Sequence, residues 1–314
     1  MSDPLQSHYS RITQAIVDGR VVPLLGAGVN LCGRPEKTAW QRGQYLPSGY
    51  ELAQYLAEKF RYPADEVLDL LRVSQYAAIM EGPGPLYEKL RDLFDADYPA
   101  TTLHQLLASI PGLLRSKGYT PRYQLIVTTN YDDVLERAFA GANEPYDLVS
   151  YVADGEKRGK FIHRFPDGQT RLIDIPNQYL DLSLDKRTVI LKIHGAIDRV
   201  DAEQDSFVIT EDHYIDFLTR TDISNLLPIT LAVELRKSHF LFLGYGLRDW
   251  NLRVILHRIW GEQKLKYKSW AVQLNPDPLD REFWQKRDVE IFNIRLEDYV
   301  DAVAAHLQVL PAKQ

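Results

Sequence analysis

A glycine-rich turn follows the first apolar segment of the sequence, Val21–Leu25. Its residues are Gly26, Ala27, Gly28, Val29 and Asn30. Glycines at the carboxyl end of a strand allow a tight turn that brings backbone N–H groups against a pyrophosphate. This pattern of residues indicates a dinucleotide-binding loop. The alternative is a plain turn between a strand and a helix, because Leu31 stands where the full dinucleotide fingerprint has a third glycine.

A cluster of polar residues follows the second apolar segment, Gln124–Thr128. It contains Thr129, Asn130 and Asp132. Hydroxyl, amide and carboxylate groups at the carboxyl edge of parallel strands lie where doubly wound folds bind ligands. Asn and Asp are also favoured at helix N-caps, so a purely capping role is the alternative.

His194 follows a third apolar segment, Thr188–Ile193, and precedes Gly195. A neighbouring glycine leaves space beside the imidazole, whose ordinary pKa of about 6.5 suits proton transfer at neutral pH. The sequence offers His194 as a general base, with a hydrogen-bonded structural histidine as the alternative.

Two more turns complete the candidate residues. Gly244, Tyr245 and Gly246 follow the apolar segment HFLFL, and Asn275 follows SWAVQL. In parallel sheets the carboxyl ends of the strands meet at one edge, so all five turns are expected there.

The elements that must position these turns alternate between short apolar strands and amphipathic helices. Strands are predicted at Val21–Leu25, Gln124–Thr128, Thr188–Ile193, His239–Leu243, Ser269–Leu274 and Val289–Asn293. Helices are predicted at Leu5–Asp18, Tyr50–Phe60, Ala64–Ile79, Leu86–Phe94, Thr101–Ser109, Tyr131–Ala140, Ile223–Lys237, Asp249–Trp260 and Leu296–Leu307. This alternation predicts an α/β fold with a doubly wound, Rossmann-like parallel sheet.

A single domain is predicted over residues 1–314, because no repeat or linker divides the sequence. The stretch from about 31 to 122 is almost entirely helical and is expected to form a helical insertion module. A second insertion, about 141–187, mixes short strands with charged turns and is expected to form a flap.

Composition narrows the classes of function. The chain has 43 acidic and 37 basic residues and a formal charge of −6, which argues against direct nucleic-acid binding. It has no signal peptide and no long apolar run, so a cytoplasmic protein without membrane contact is expected. Cys32 is the only cysteine, which excludes an intrachain disulfide and a cysteine-built zinc ribbon.

In order and content, the turns GAG, TTNYD, IHG, GYG and LNP resemble the sirtuin superfamily, most closely the sirtuin-like domains of bacterial anti-phage defence proteins. The resemblance spans about Val21 to Leu307. It implies that these residues hold NAD⁺. Gly26, Ala27 and Gly28 would lie at the pyrophosphate, and Asn30 takes the place of a sirtuin serine. Asn130 and Asp132 would line the nicotinamide-ribose pocket, with Thr129 as a further binding residue. His194 would match the catalytic histidine, and the adenosine would lie along Gly244, Tyr245, Gly246 and Asn275.

The missing cysteines set this chain apart from sirtuin deacylases, whose small module binds zinc through four of them. The resemblance therefore implies an NAD⁺ glycohydrolase that uses NAD⁺ as substrate, water as acceptor and no metal. Asn130 would orient the water or the ribose hydroxyls, and His194 would accept a proton. A non-catalytic NAD⁺ or ADP-ribose sensor is the alternative from another class, while a protein deacylase or a nuclease is disfavoured.

Uncontrolled NAD⁺ hydrolysis would harm the host, so control by assembly is expected. A homo-oligomer is one route. The resemblance also suggests a partner supplied in trans, such as a HerA-type DNA-translocating ATPase or an Argonaute-like protein.

Overall fold

The computed structural model of the chain describes residues 4–219, 227–246, 256 and 267–313. Apart from residue 256, the predicted helix Asp249–Trp260 lies outside the described residues, as do residues 223–226 of the predicted helix Ile223–Lys237. No helix within the described ranges has the length and apolar character needed to cross a membrane.

Nine described strands form a single sheet. They are β1 (Val21–Leu25), β2 (Leu125–Thr128), β3 (Tyr146–Tyr151), β4 (Phe161–Arg164), β5 (Thr170–Ile173), β6 (Thr188–Lys192), β7 (His239–Leu243), β8 (Ser269–Val272) and β9 (Val289–Phe292). The order across the sheet is β5-β4-β3-β6-β2-β1-β7-β8-β9. Across the sheet, the neighbouring strands β3, β6, β2, β1, β7, β8 and β9 pair in parallel. The β3–β4 and β4–β5 pairs are antiparallel.

The described helices are α1 (Pro4–Val17), α2 (Gly49–Lys59), α3 (Leu70–Met80), α4 (Pro83–Phe94), α5 (Thr102–Ser116), α6 (Val134–Gly141), α7 (Glu211–Thr219), α8 (Ile229–Lys237), α9 (Pro278–Gln285) and α10 (Leu296–Gln308). The sequence pattern did not predict α7 or α9. The predicted α5 also ended too early, because the helix continues through Pro111 to Ser116.

Both faces of the sheet are covered by apolar side chains, as a parallel sheet requires. In β1, Val22 and Leu24 belong to the core on one face, whereas Val21 and Leu25 belong to the core on the other. Residues of α8 and α9 cover the first face, and residues of α1, α5, α6 and α10 cover the second. The predicted α/β fold with a doubly wound sheet is thereby confirmed.

The two expected insertions differ in detail from the sequence-based picture. Within 31–122, α2, α3 and α4 contribute to a third apolar core, which they share with Tyr131, Val134, Ile197, Phe207 and Ile209. In contrast, α5 packs on the sheet through Leu103, Leu107 and Leu114. Within 141–187, β3 pairs in parallel with β6, so this segment continues the main sheet instead of forming only a flap.

The strand order reverses at β1, which pairs with β2 on one side and β7 on the other. At such a switch point the connections leave the sheet towards opposite faces, which opens a crevice beyond the carboxyl ends of the strands. The turns after β1, β2 and β7 all meet there.

Candidate functional site

A cavity of about 480 Å³ lies at the switch point. Its wall contains ten of the predicted site residues: Ala27, Gly28, Asn30, Thr129, Asn130, Asp132, His194, Gly244, Tyr245 and Gly246. The first residues of α2 and Tyr214 of α7 also contribute to the wall. Chain segments more than 200 residues apart in sequence therefore form one enclosure.

The turns after β1 and β7 are in direct backbone contact. The amide of Gly26 donates to the carbonyl of Leu243 at 3.0 Å, and the amide of Gly28 donates to the carbonyl of Gly244 at 2.9 Å. A Cβ atom on Gly28 would lie 2.6 Å from the Gly244 carbonyl oxygen. The glycines thus allow two loops to touch, and the amides of Gly26 and Gly28 are already engaged within the protein.

Asn130 joins the turn after β2 to the turn after β1. Its Nδ2 donates to the carbonyl of Gly26 at 3.4 Å, and its own amide donates to Thr128 Oγ1 at 3.0 Å. The neighbouring Thr129 hydroxyl lies 3.0 Å from the Tyr245 hydroxyl. These contacts fix the polar turn between its two neighbours.

Asp132 combines the two roles that the sequence left open. Its Oδ1 accepts a hydrogen bond from the Val134 amide at 3.0 Å, in the first turn of α6. The residue also lines the cavity, and it is 5% exposed. Burial raises the pKa of Asp132, and the positive charge of Lys192 opposes that rise.

His194 is enclosed more completely than its sequence context indicated. Its Nδ1 lies 3.3 Å from the Tyr214 hydroxyl, and its Nε2 is buried without a hydrogen-bond partner among the described residues. Burial lowers the pKa of His194 to about 3. The cause is the loss of hydration that the imidazolium form would suffer in this enclosed position.

A second groove of about 630 Å³ adjoins the first cavity. The two share Gly28, Ser48, Gly244, Tyr245 and Gly246. The second groove is lined by more charged side chains than the first cavity, namely Arg34, Glu36, Lys37, Glu51, Arg295 and Glu297. The paired spaces can hold a ligand longer than either one alone.

The family is settled by comparison with known proteins. Residues 124–292 match the family described as the SIR2-like domain. The chain belongs to the SIR2-like domain family. The resemblance to sirtuins seen in the five turns is confirmed, although the first turn, Gly26–Asn30, precedes the matched residues.

Named relatives match the chain at modest identity. "Defense-associated sirtuin 2" of Bacillus subtilis is 24% identical over 96% of this chain and 26% of its own length. "NAD(+) hydrolase ThsA" of Enterococcus faecium is 27% identical over 79% of this chain and 42% of its own length. "NAD(+) hydrolase ThsA" of Acinetobacter baumannii (strain 532279) is 27% identical over 69% of this chain and 37% of its own length. The chain spans less than half the length of each of these relatives.

Asn275, like Gly26, is a predicted site residue outside the cavity wall. It is absent from the walls of both the cavity and the second groove, although the adjacent Leu274 lines the groove. Its backbone has a φ of 50°, and its amide donates to Asn293 Oδ1 at 2.8 Å. The structure therefore gives Asn275 a turn-forming role.

The sequence analysis predicted helix α2 but did not assign its N-terminus to the site. Ser48 and Glu51 form a capping box, the S-x-x-E pattern that marks helix starts. Glu51 also makes a two-point ion pair with Arg34, at 2.6 and 3.0 Å. Burial alone would raise the pKa of Glu51, but the hydrogen bonds from Arg34 and Ser48 hold it below its ordinary value.

Tyr214 was also missed, and no short motif marks it. It lies on α7, an element that the apolar pattern did not reveal, and reaches His194 only through the fold. The rings of Tyr214 and His194 meet edge to face with centroids 5.2 Å apart.

Proposed function

We propose that this chain is an NAD⁺ glycohydrolase, which cleaves the bond between nicotinamide and ribose to give nicotinamide and ADP-ribose. The observation that carries the proposal is the single 480 Å³ cavity that gathers Asn130, Asp132 and His194. The relatives named NAD(+) hydrolase support the same reaction.

The chemistry needs few groups. Loss of nicotinamide gives the ribose oxocarbenium character, as in glycoside hydrolysis, so a nearby carboxylate and a positioned water are sufficient. In the proposal, Asp132 faces the developing positive charge, and Asn130 orients the ribose hydroxyls or the water. His194 is neutral because of its burial, so it has the form that accepts the water proton.

The second groove would hold the adenosine half of the dinucleotide. Gly28, Ser48 and Gly246 lie in the walls of both spaces, so the pyrophosphate would pass beside them. Because the amides of Gly26 and Gly28 are bonded to the turn after β7, we expect the amides of Ala27 and of the α2 N-terminus to contribute.

The low pKa of His194 also bears on regulation. Burial of the imidazole weakens it as a base, so a change that opens its surroundings would favour catalysis. We propose that assembly supplies this change, as a homo-oligomer or with a partner such as a HerA-type ATPase or an Argonaute-like protein. The activated protein would deplete NAD⁺ as an effector of anti-phage defence.

The direct test is nicotinamide release from NAD⁺ by the full chain, alone and with the protein encoded beside its gene. Wild type should release nicotinamide under at least one of these conditions. Asn130→Ala and His194→Ala should each lower the rate by about 10²–10⁴, the usual cost of losing a proton-transfer or positioning group.

A sensor that binds NAD⁺ or ADP-ribose without cleaving it is the second candidate. It is favoured by one observation, the enclosure of His194 Nε2 without a partner among the described residues. Calorimetric binding of NAD⁺ with no nicotinamide release in any assembly would establish the sensor and refute the hydrolase.

A further inference from the structure

A buried ammonium group lies beneath the candidate site. Lys192 is the last residue of β6, only 1% exposed, and sits two residues before His194. In the sheet it pairs with Thr128, the last residue of β2. One side chain therefore lies between the two turns that carry Asn130 and His194.

The Lys192 ammonium has two acceptors. It donates to the backbone carbonyl of Asp132 and to Glu136 Oε1, the latter at 2.7 Å. Burying an ammonium group costs several kcal/mol unless charges and hydrogen bonds compensate it. The contact to a main-chain carbonyl shows that this lysine also fixes the backbone of the polar turn.

Two carboxyl groups share this single cation. Asp132 and Glu136 are 5% and 6% exposed, and one oxygen of each has no hydrogen-bond partner among the described residues. Asp133 and Tyr98 are the other titratable groups that interact with Asp132, and His104 faces Lys192 from α5. Arg137 and Arg199 are paired with Asp133, whereas Lys192 is the cation that acts on both Asp132 and Glu136.

We propose that Lys192 is a positioning residue of the NAD⁺ site, which holds the Asn130–Asp132 turn in place through the Asp132 carbonyl and sets a positive charge beside the Asp132 carboxyl group. The inference rests on the proposed function. An ionised Asp132 places negative charge beside the nicotinamide ring of NAD⁺, which is cationic, and beside the ribose as the bond breaks.

The direction of the pKa effects agrees with this role. Burial raises the pKa of Asp132 and of Glu136, and Lys192 lowers both. Without Lys192 the Asp132 carboxyl would take up a proton at a higher pH. The pH at which activity falls on the acid side should therefore rise.

A merely structural role makes a different prediction. If Lys192 only neutralises Glu136, then removing both charges should restore the site. If Lys192 acts through Asp132, the double variant should stay impaired. In the double variant K192M/E136M the two methionines have side-chain volumes similar to those of the lysine and glutamate that they replace. Neither charge remains buried without its partner, so the double variant is expected to fold even if K192M alone does not.

The experiment compares wild type, K192M, E136M and K192M/E136M by kcat/KM for nicotinamide release between pH 5 and 9. We expect E136M to stay within about threefold of wild type, while K192M and the double variant lose at least about tenfold at pH 7. Their acid limb should move up by about one pH unit or more. A double variant with the rate and pH profile of E136M would overturn the proposal.

A binding readout separates this inference from the proposed function. NAD⁺ carries a cationic nicotinamide ring, whereas the ring of NADH is neutral, so an ionised Asp132 should favour NAD⁺. Calorimetry at pH 7 should show this preference in wild type and a loss of at least about fivefold of it in K192M and in the double variant. An unchanged preference in the double variant refutes the role of Lys192, even if wild type shows no hydrolysis and the glycohydrolase proposal itself fails.

Discussion

Gly28→Ala should destabilise the protein even in the absence of any ligand. The added Cβ would lie 2.6 Å from the Gly244 carbonyl oxygen and 2.9 Å from the Gly244 Cα. Both atoms belong to the backbone, and Gly244 is itself held at φ +71° with no room for a Cβ beside the Val29 amide. Neither loop can yield by a simple side-chain rotation.

The magnitude follows from two contributions. Forcing extra volume into a packed contact costs about 1–3 kcal/mol. Separating the loops also weakens the 2.9 Å hydrogen bond from the Gly28 amide to Gly244, which adds about 0.5–1.5 kcal/mol. The free energy of unfolding should fall by about 2–4 kcal/mol, and at roughly 2–4 °C per kcal/mol Tm should fall by roughly 4–16 °C.

Gly246→Ala is the matched control. Gly246 lines the same cavity and the same groove, but a Cβ there would meet no atom of the described residues within 4 Å. Its stability should stay within about 1 kcal/mol of wild type. Urea unfolding and thermal melts of both variants measure the difference. If G28A melts with wild type and loses only NAD⁺ binding, the glycine serves ligand approach and the loop-packing argument is wrong.

Three further outcomes are expected. Tyr214→Phe should lower kcat for nicotinamide release about tenfold with little change in KM for NAD⁺. The substitution keeps the ring but removes the hydroxyl that lies 3.3 Å from His194 Nδ1. An unchanged kcat would show that this contact does not orient the imidazole. Burial, with the charges of Arg11 and Lys268, lowers the pKa of His8 to about 3. Below about pH 6.5 the unfolded chain therefore binds a proton at His8 that the folded protein does not bind. The free energy of unfolding consequently falls as the pH falls from 6.5 towards 3. His8→Phe should therefore make urea-derived stability less steep between pH 4 and 6 by about 1.4 kcal/mol per pH unit, and an equal slope would contradict the assignment. Glu51→Gln should cost about 1–3 kcal/mol in urea unfolding, since it removes the charged partner of the buried Arg34, and a wild-type midpoint would argue that the pair contributes nothing.

The sequence was sufficient for features that depend on local pattern. Each of the six apolar segments forms a strand within two residues of its predicted ends. Short runs of apolar, β-branched and aromatic residues are typical of strands that are buried on both faces of a parallel sheet. Parallel pairing then brings the ends of β1, β2, β6 and β7 to one edge, and ten of the twelve predicted site residues line one cavity.

Other features depend on contacts that no local pattern encodes. Helix α7 is short and only weakly amphipathic, so its Tyr214 could not be linked to His194 in advance. The distinction between α5 and the helices α2 to α4 was also hidden, since all four have amphipathic faces and only the fold decides whether each face meets the sheet or another helix.

By itself, the sequence determined the strand pattern, the glycine and polar turns and their order, because these follow from residue type and spacing along the chain. Only the tertiary structure decided the protonation and hydrogen bonding of the site. Burial lowers the pKa of His194, Lys192 acts on both Asp132 and Glu136, and the amides of Gly26 and Gly28 are bonded to a neighbouring loop. Desolvation and hydrogen-bond partners are set by residues distant in sequence, so the same motif can lie in water or in a closed pocket until the fold is known.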